Sequence, residues 1–302
     1  HVEDLAGALD EHAEILLLQP TPSQAASLRW LRAGEEFTVY LPMDRGLDDC
    51  LEVLRKLNFS RVHYHHIQGF PEWILNLANA LQLEYDVTVH DYFAVCPQIH
   101  FLRASGQYCG EPEESVCKLC LEERAPQWPL SIATWRSRCL DWLQRADRLI
   151  APSADVVKRL ERYRSALPAV IWAHPERDGH RHLPIAERCM RRRKVVLLGT
   201  LSEAKGLALV ASAAEYAAVQ GLSVEFRVIG ALERSVATWP AANLSATGEY
   251  READLESLLE RERPDAFLFA SIVPETYSYT LSLALRTDLP VMAVNLCTVQ
   301  NN

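Results

Sequence analysis

The sequence predicts an α/β protein made of two doubly wound, Rossmann-like domains facing a cleft, and three observations carry that expectation. Short β-rich runs alternate with helical patterns almost throughout, the signature of parallel sheets joined by crossover helices. A polar, arginine-rich stretch past the middle interrupts the rhythm, and a second series then begins. The 302 residues, at roughly 100 to 200 per domain, allow two domains that each bury a core.

In the first domain, residues 1–178, the strand candidates are AEILLLQP, EEFTVYLP, SRVHYHHI, DVTVHDYF, DRLIAPS and AVIWAHP. The helical stretches between them are LDDCLEVLRKLN, PEWILNLANALQ, LSIATWRSRCLDWLQRA and SADVVKRLERYR, the last opened by Ser153 as a good N-cap. Residues 179–302 form the second domain, with 179–193 as its linker. Strand KVVLLGT leads to helix AKGLALVASAAEYAAVQG, strand SVEFRVIGA, helix READLESLLERER, strand DAFLFAS, helix TYSYTLSLALRT and strand PVMAVNL. In such folds a ligand lies outside the carboxyl ends of the strands. No internal repeat and no low-complexity tract is evident.

With 49% apolar and 24% charged residues, and 12 Gly against 16 Pro, the composition is globular rather than disordered or fibrous. Purely apolar runs, such as Ile15 to Leu18 and Val195 to Leu198, are about four or five residues at most, where a membrane span needs about 20. The opening HVEDLAGALDEH lacks the basic start and apolar block of a secretory signal, so the visible chain reads as cytoplasmic. A formal charge of −9 from 40 acids and 31 bases argues against nucleic acid as a partner, because phosphate affinity needs many Lys and Arg. One local exception runs over 177–194, where Arg177, Arg181, Arg188, Arg191, Arg192, Arg193 and Lys194 face only Asp178 and Glu187. It reads as a solvated linker, with contact to anionic lipid at the inner face of a membrane, or to a phosphate, as the alternative.

The most informative segment is DAFLFASIVPETYSYTLSLALRTDLPV. A buried strand runs into a Pro-Glu turn and then a helix whose first turn holds Thr276, Ser278 and Thr280. Unbonded N–H groups at such a helix start suit a phosphate, and Glu275 beside them suits a hydroxyl. The second element is LLGTLSEAKG, a strand ending at Gly199 and a loop carrying Lys205, a point charge for a diphosphate. Glu275 as a helix-start carboxylate and Lys205 as a solvated first-turn lysine are the plainer alternatives. Neither a Walker pattern nor a complete dinucleotide fingerprint occurs, which disfavours an ATPase or dehydrogenase.

The pairing of GTLSEAKG with PETYSYTLSLAL and DLPVMA resembles the donor domain of GT-B glycosyltransferases of family 4, the retaining enzymes. Upstream, VHYHHIQG, VHDYFAVCP, YCGEP, CKLC and RLIAPSADVVKRL resemble the acceptor-side domain of a branch that builds bacterial surface polysaccharides, O-antigen among them. The resemblance implies a sugar moved from a nucleotide-diphosphate donor to a growing, lipid-linked glycan with retention, and no cofactor for catalysis. It makes Glu275 the first acid of a paired-glutamate motif that touches donor-sugar hydroxyls, and Lys205 a diphosphate ligand beside Gly199. Ser278, Tyr279 and Thr280 would give backbone N–H groups to the distal phosphate, and His90 would reach the donor. The second acid falls on Leu283, and an arginine after the first glycine on Thr200. Asp288 and Cys297 stand where the family often has glycine. The resemblance also implies a chain trimmed at both ends and belonging to a larger polypeptide.

Cys96, Cys109, Cys117 and Cys120, in an insert over 96–120, have the close CKLC pair that a tetrahedral knuckle needs. In a reducing compartment four thiolates favour a structural zinc, with His100 able to replace one ligand; paired or free cysteines are the alternative. Cys50, Cys139 and Cys189 read as core or incidental. His63 and His65 share one face of a strand while His66 points away, so the three cannot converge without a bend. They read as a polar lining rather than a metal site. The expectation is a retaining GT-B glycosyltransferase, and its rivals are a catalytically silent glycosyltransferase-like module and a GT-B nucleotide-sugar epimerase.

Overall fold

The structure, a computed structural model, describes residues 2–9, 11–23, 25–31, 37–44, 46–174, 192–233 and 243–294. These form two compact units, His1–Ile99 with Glu113–Trp172, and His100–Pro112 with Ala173–Asn302. Most of the basic stretch, together with Cys189 and Cys297, lies outside the described residues.

The first unit opens with helix α1 (Val2–Leu9) and strands β1 (Leu16–Pro20), β2 (Ala25–Trp30) and β3 (Thr38–Pro42). The sequence predicted β1 and β3 as members of a parallel sheet and missed β2. The three instead form an antiparallel sheet in the order β1-β2-β3, with Leu18 opposite Leu28 and Leu28 opposite Val39. Chain length explains the difference: the β1–β2 and β2–β3 links are short, and a parallel crossover needs about a dozen residues or more.

The predicted parallel arrangement begins after helix α2 (Leu47–Arg55), with β4 (Val62–Tyr64), β5 (Tyr85–Thr88), β6 (Arg148–Ala151) and β7 (Ala169–Ile171) hydrogen-bonded in that order and all parallel. Between β4 and β5, PEWILNLANALQ forms a 3-10 turn, Glu72–Asn76, and the short α3 (Leu77–Ala80). Helices α4 (Glu114–Glu123), α5 (Ile132–Gln144) and α6 (Ala154–Glu161) follow. Ser131 and Ser153 cap α5 and α6, their hydroxyls accepting the N–H of Thr134 at 3.1 Å and of Val156 at 3.4 Å. A cap of this kind satisfies a donor the helix leaves open, worth about 1 kcal/mol. The buried face of α5 sets Trp135, Cys139, Leu140 and Leu143 at helical spacing inside the unit.

The second unit matches the predicted series closely. It consists of β8 (Arg193–Leu198), α7 (Leu207–Val219), β9 (Val224–Ile229), β10 (Leu244–Ala246), a 3-10 turn at Glu252–Asp254, α8 (Leu255–Glu262), β11 (Ala266–Phe269), α9 (Tyr279–Leu285) and β12 (Val291–Ala293). The five strands are parallel, in the order β10-β9-β8-β11-β12. The period-2 alternation of β8 divides the core between the two faces. Leu197 packs with Leu207, Val210, Ala211 and Ala214 of α7, while Val196 and Leu198 pack with Leu255 and Leu259 of α8 and Ala284 of α9. A sheet covered on both faces is the doubly wound architecture. Among the described residues, no helix is long and apolar enough to cross a membrane.

Candidate functional site

A pocket opens where β8 and β11 end. Strand β8 runs into Gly199, whose backbone has φ +86° and whose N–H donates to Ile229 O at 2.9 Å. Directly opposite, Gly230 has φ +144°, and a Cβ there would stand 2.1 Å from Gly199 O. Only glycine permits this approach. The loop after Gly199 is held by polar groups: within it Ser202 Oγ accepts the Lys205 N–H at 3.3 Å, and the carboxylate of Glu233, after β9, accepts the Glu203 N–H at 2.7 Å. Gly206 ends the loop with φ +82°, so close to β11 that a Cβ would lie 2.1 Å from Ala270 O. Ala204 O accepts the Ile272 N–H at 3.0 Å, tying loop to strand end a second time.

This docking brings Lys205 over the strand ends. A Cβ built on Gly199 would be 3.9 Å from Lys205 Nζ and 3.8 Å from Thr280 Cγ2, so the three residues converge. Ser278 caps α9, its hydroxyl accepting the Leu281 N–H at 3.4 Å. The pocket is lined by Gly199, Thr200, Lys205, Ser271, Glu275, Tyr277, Ser278 and Thr280 over a floor that includes Leu198, Leu201, Phe269 and Leu281. Five of the six residues predicted in this half, Gly199, Lys205, Glu275, Ser278 and Thr280, therefore meet in one pocket. Tyr279 is the sixth. It begins α9, but its ring is outside the lining, stacked on His174 at 5.5 Å and edge-on to Tyr277 at 4.7 Å.

Sequence reasoning missed Tyr277, Ser271 and His174. Tyr277 O–H pairs with Ser282 Oγ at 3.0 Å, and the His174 ring meets Tyr277 at 4.6 Å. Burial holds the His174 imidazole below its ordinary pKa and so uncharged. Leu283 is not among the pocket's lining; it packs on the core cluster of Val196, Leu198 and Phe267. The 3.6-residue period of α9 thus sets this partly buried position against the sheet.

In the first unit, His90 follows β5. Strand β4 ends at Tyr64 and bends at His65, supplying the bend whose absence would have kept the three histidines apart. His63 Nε2 and Thr88 Oγ1 lie 2.8 Å apart, His65 Nδ1 and His90 Nε2 are hydrogen-bonded at 2.8 Å, and His66 Nδ1 meets Asp91 Oδ2 at 3.0 Å. The rings of His63 and His65 are 4.2 Å apart, and those of His66 and His90 stack at 4.9 Å. Burial, reinforced by neighbouring imidazoles, pushes His65 down to about 3, and burial also lowers His63. Beneath them the buried Asp86 is held between Arg61 and Arg148, the latter through two hydrogen bonds of 3.0 and 2.8 Å. Burial opposes the charge on Asp86, but the two guanidinium groups outweigh it and keep the carboxyl below its usual range.

Cys117 and Cys120 sit one turn apart on α4 rather than in a knuckle loop. Cys117 Sγ accepts from Arg136 at 3.4 Å, and Cys109 Sγ accepts the Glu111 N–H at 3.4 Å. No disulfide joins Cys96, Cys109, Cys117 or Cys120. Among the described residues, no group of three or more His, Cys, Asp or Glu side chains is arranged to hold a metal, so the four-thiolate zinc site does not fit this structure. Cys50 and Cys139 are buried, and burial pushes the Cys139 thiol up to about 12.

No protein family and no curated protein matches the sequence. By structure, the chain is similar to sucrose-phosphate synthase from Thermosynechococcus elongatus, with a TM-score of 0.55 and 14% identity, covering 96% of this chain and 73% of that one. It is similar to TarM, with a TM-score of 0.54 and 12% identity over 91% of this chain and 50% of TarM. The pneumococcal O-GlcNAc transferase GtfA, solved in complex with UDP and GlcNAc, gives a TM-score of 0.51 and 15% identity over 93% of this chain and 54% of that one. At such identities the likeness is one of fold: an α/β fold with parallel sheets, shared with glycosyltransferase structures. The chain spans about half the length of GtfA and TarM.

Proposed function

We propose that the chain is part of a retaining glycosyltransferase of the GT-B type that takes its sugar from a nucleotide diphosphate. The observation that carries this reading is the convergence of Gly199, Lys205, Glu275, Ser278 and Thr280 on one pocket at the carboxyl ends of β8 and β11. Ligands of open α/β sheets bind at such strand ends. The fold likeness to GtfA, which was solved with UDP, agrees.

In this reading Lys205 Nζ lies against the diphosphate, with the closely packed glycines leaving room for it, and the start of α9 faces the distal phosphate. Glu275 accepts from sugar hydroxyls. The anomeric carbon loses its bond to the phosphate oxygen as the acceptor hydroxyl forms a bond on the same face. The acceptor's proton passes to the departing phosphate, so no separate protein base is required. The chain's contribution is then electrostatic stabilisation of the leaving diphosphate and orientation of both partners. The acceptor is a growing, lipid-linked glycan, met in the cytoplasm at the inner face of a membrane, with the basic 177–194 stretch against anionic lipid.

A second reading, a silent donor-binding module, is favoured by one observation: Glu275 is the single acid lining the described pocket, and the partly buried Leu283 packs against the core cluster instead. Donor consumption decides between them. A transferase consumes nucleotide sugar only when acceptor is present, an epimerase converts it without acceptor, and a silent module binds it unchanged. Acceptor-dependent release of nucleotide diphosphate, lost in Glu275→Ala and Lys205→Ala, is the expected result. Turnover unaffected by both substitutions would overturn the proposal.

A further inference from the structure

Tyr277 has no part in the reading above, yet it lines the pocket of the second unit together with Glu275, two residues before it, and Ser278, the cap of α9. Its ring is held from several directions, all within that unit. It meets the His174 ring edge-on at 4.6 Å and 77°, and the Tyr279 ring edge-on at 4.7 Å and 76°. His174 and Tyr279 stack on one another at 5.5 Å, so the three rings close a triangle. The Tyr277 hydroxyl pairs with Ser282 Oγ at 3.0 Å, and Ser282 is buried one turn into α9. Edge-to-face pairs are a favoured arrangement of aromatic rings. A side chain fixed in this way has little freedom left to lose when a ligand arrives.

We infer that Tyr277 is a specificity-determining residue: its fixed ring is a flat apolar wall for the C–H face of the donor's sugar, and it sets how well the pocket tells a nucleotide sugar from a bare nucleotide diphosphate. The inference rests on the reading of this pocket as the donor site. Its chemistry follows from the neighbours. A pyranose carries hydroxyls around its rim and C–H bonds on its faces, so a site that holds one needs a polar acceptor and an apolar surface together. Glu275 supplies the acceptor, and Tyr277, on the same turn before α9, supplies the surface. In the chain Tyr277 stands between Glu275 and Ser278, the start of the helix that faces the distal phosphate, and the distal phosphate is where the sugar is attached. Ligand pockets commonly combine aromatic lining with a few placed polar groups in this way.

Isothermal calorimetry of the full chain tests it, with UDP-glucose beside UDP and GDP-mannose beside GDP as probes, and thermal melting to show that each variant is folded. For the nucleotide that wild type binds, Tyr277→Ala should weaken the nucleotide sugar by about three- to tenfold and the free diphosphate by less than about twofold. Tyr277→Phe keeps the ring and should stay within about twofold of wild type on both. Tyr277→Leu keeps apolar bulk without the flat face and should show the loss on the nucleotide sugar, so the Leu and Phe variants decide the matter should Tyr277→Ala not fold. Unchanged nucleotide-sugar affinity in the Ala and Leu variants, or equal losses on nucleotide sugar and free diphosphate, would overturn the inference and leave the pocket a nucleotide site. So would a wild type that binds a free diphosphate but neither nucleotide sugar. A wild type that binds none of these probes would remove the donor reading, and the inference with it.

Discussion

The pocket of the second unit and the histidine series of the first both stand at strand ends, yet they are built by opposite means. In the pocket, backbone does the placing. Gly199, Gly206 and Gly230 let main chains approach so closely that no Cβ fits at Gly206 or Gly230, and the functional side chains simply follow from where the loops end. In the histidine series, side chains place one another by stacking and hydrogen bonding, and burial keeps His65 neutral. A site placed by backbone should therefore fail through folding when its glycines are changed, and a site placed by side chains should fail through protonation.

The largest expected effect follows at Gly206. Gly206→Ala would put a methyl 2.1 Å from Ala270 O at a φ of +82°, and strain of both kinds should cost about 3 kcal/mol or more. Denaturant unfolding measures it. A loss below about 1 kcal/mol would mean that loop and strand can part without harm. Next is Leu283→Glu. Because Leu283 packs on Val196, Leu198 and Phe267, a carboxylate there loses apolar contacts and should cost about 1 to 3 kcal/mol. It should bring no gain in UDP affinity by calorimetry; tighter binding would show that the position faces the nucleotide after all.

The third effect concerns pH. His65 is pushed down to about 3 in the folded chain, against about 6.5 for an unperturbed histidine. Between these values the unfolded chain binds the extra proton, so stability is full above about 6.5 and declines toward pH 3, by at most about 1.4 kcal/mol per pH unit from this group. Urea midpoints of wild type and His65→Asn, compared from pH 7 to 4, check it, and the variant should show the shallower decline. Equal slopes would remove His65 from the acid sensitivity of the fold.

Legibility divided along the same line. The second unit could be read almost element by element, because each strand-to-helix step repeats one pattern and because VVLL alternates between two helical faces. The pocket residues followed, since their placement needs only strand ends. Strand β2, AASLRW, was hidden by its mixed polarity, and β10 by its brevity of three residues. CKLC looked like a knuckle, but the surrounding ESVCKLCLEE is made of helix formers and winds into α4, which spaces its two thiols by a turn. The gathering of His63, His65 and His66 around His90 depends on the bend at His65, which period-2 reasoning does not contain. Side-chain orientation on α9, decisive for Leu283, likewise depends on how the helix meets the sheet.

The central claim is that the glycine-packed pocket of the second unit binds a nucleotide diphosphate through Lys205. Isothermal calorimetry of UDP with the wild-type chain and with Lys205→Ala tests it, thermal melting confirming that both are folded. Saturable binding by wild type, weakened by about tenfold to a hundredfold in Lys205→Ala, is the predicted outcome, the loss of one charged contact being worth about 1.5 to 3 kcal/mol. Equal affinity in the two proteins, or no UDP binding by the folded wild type at millimolar concentration, would contradict it.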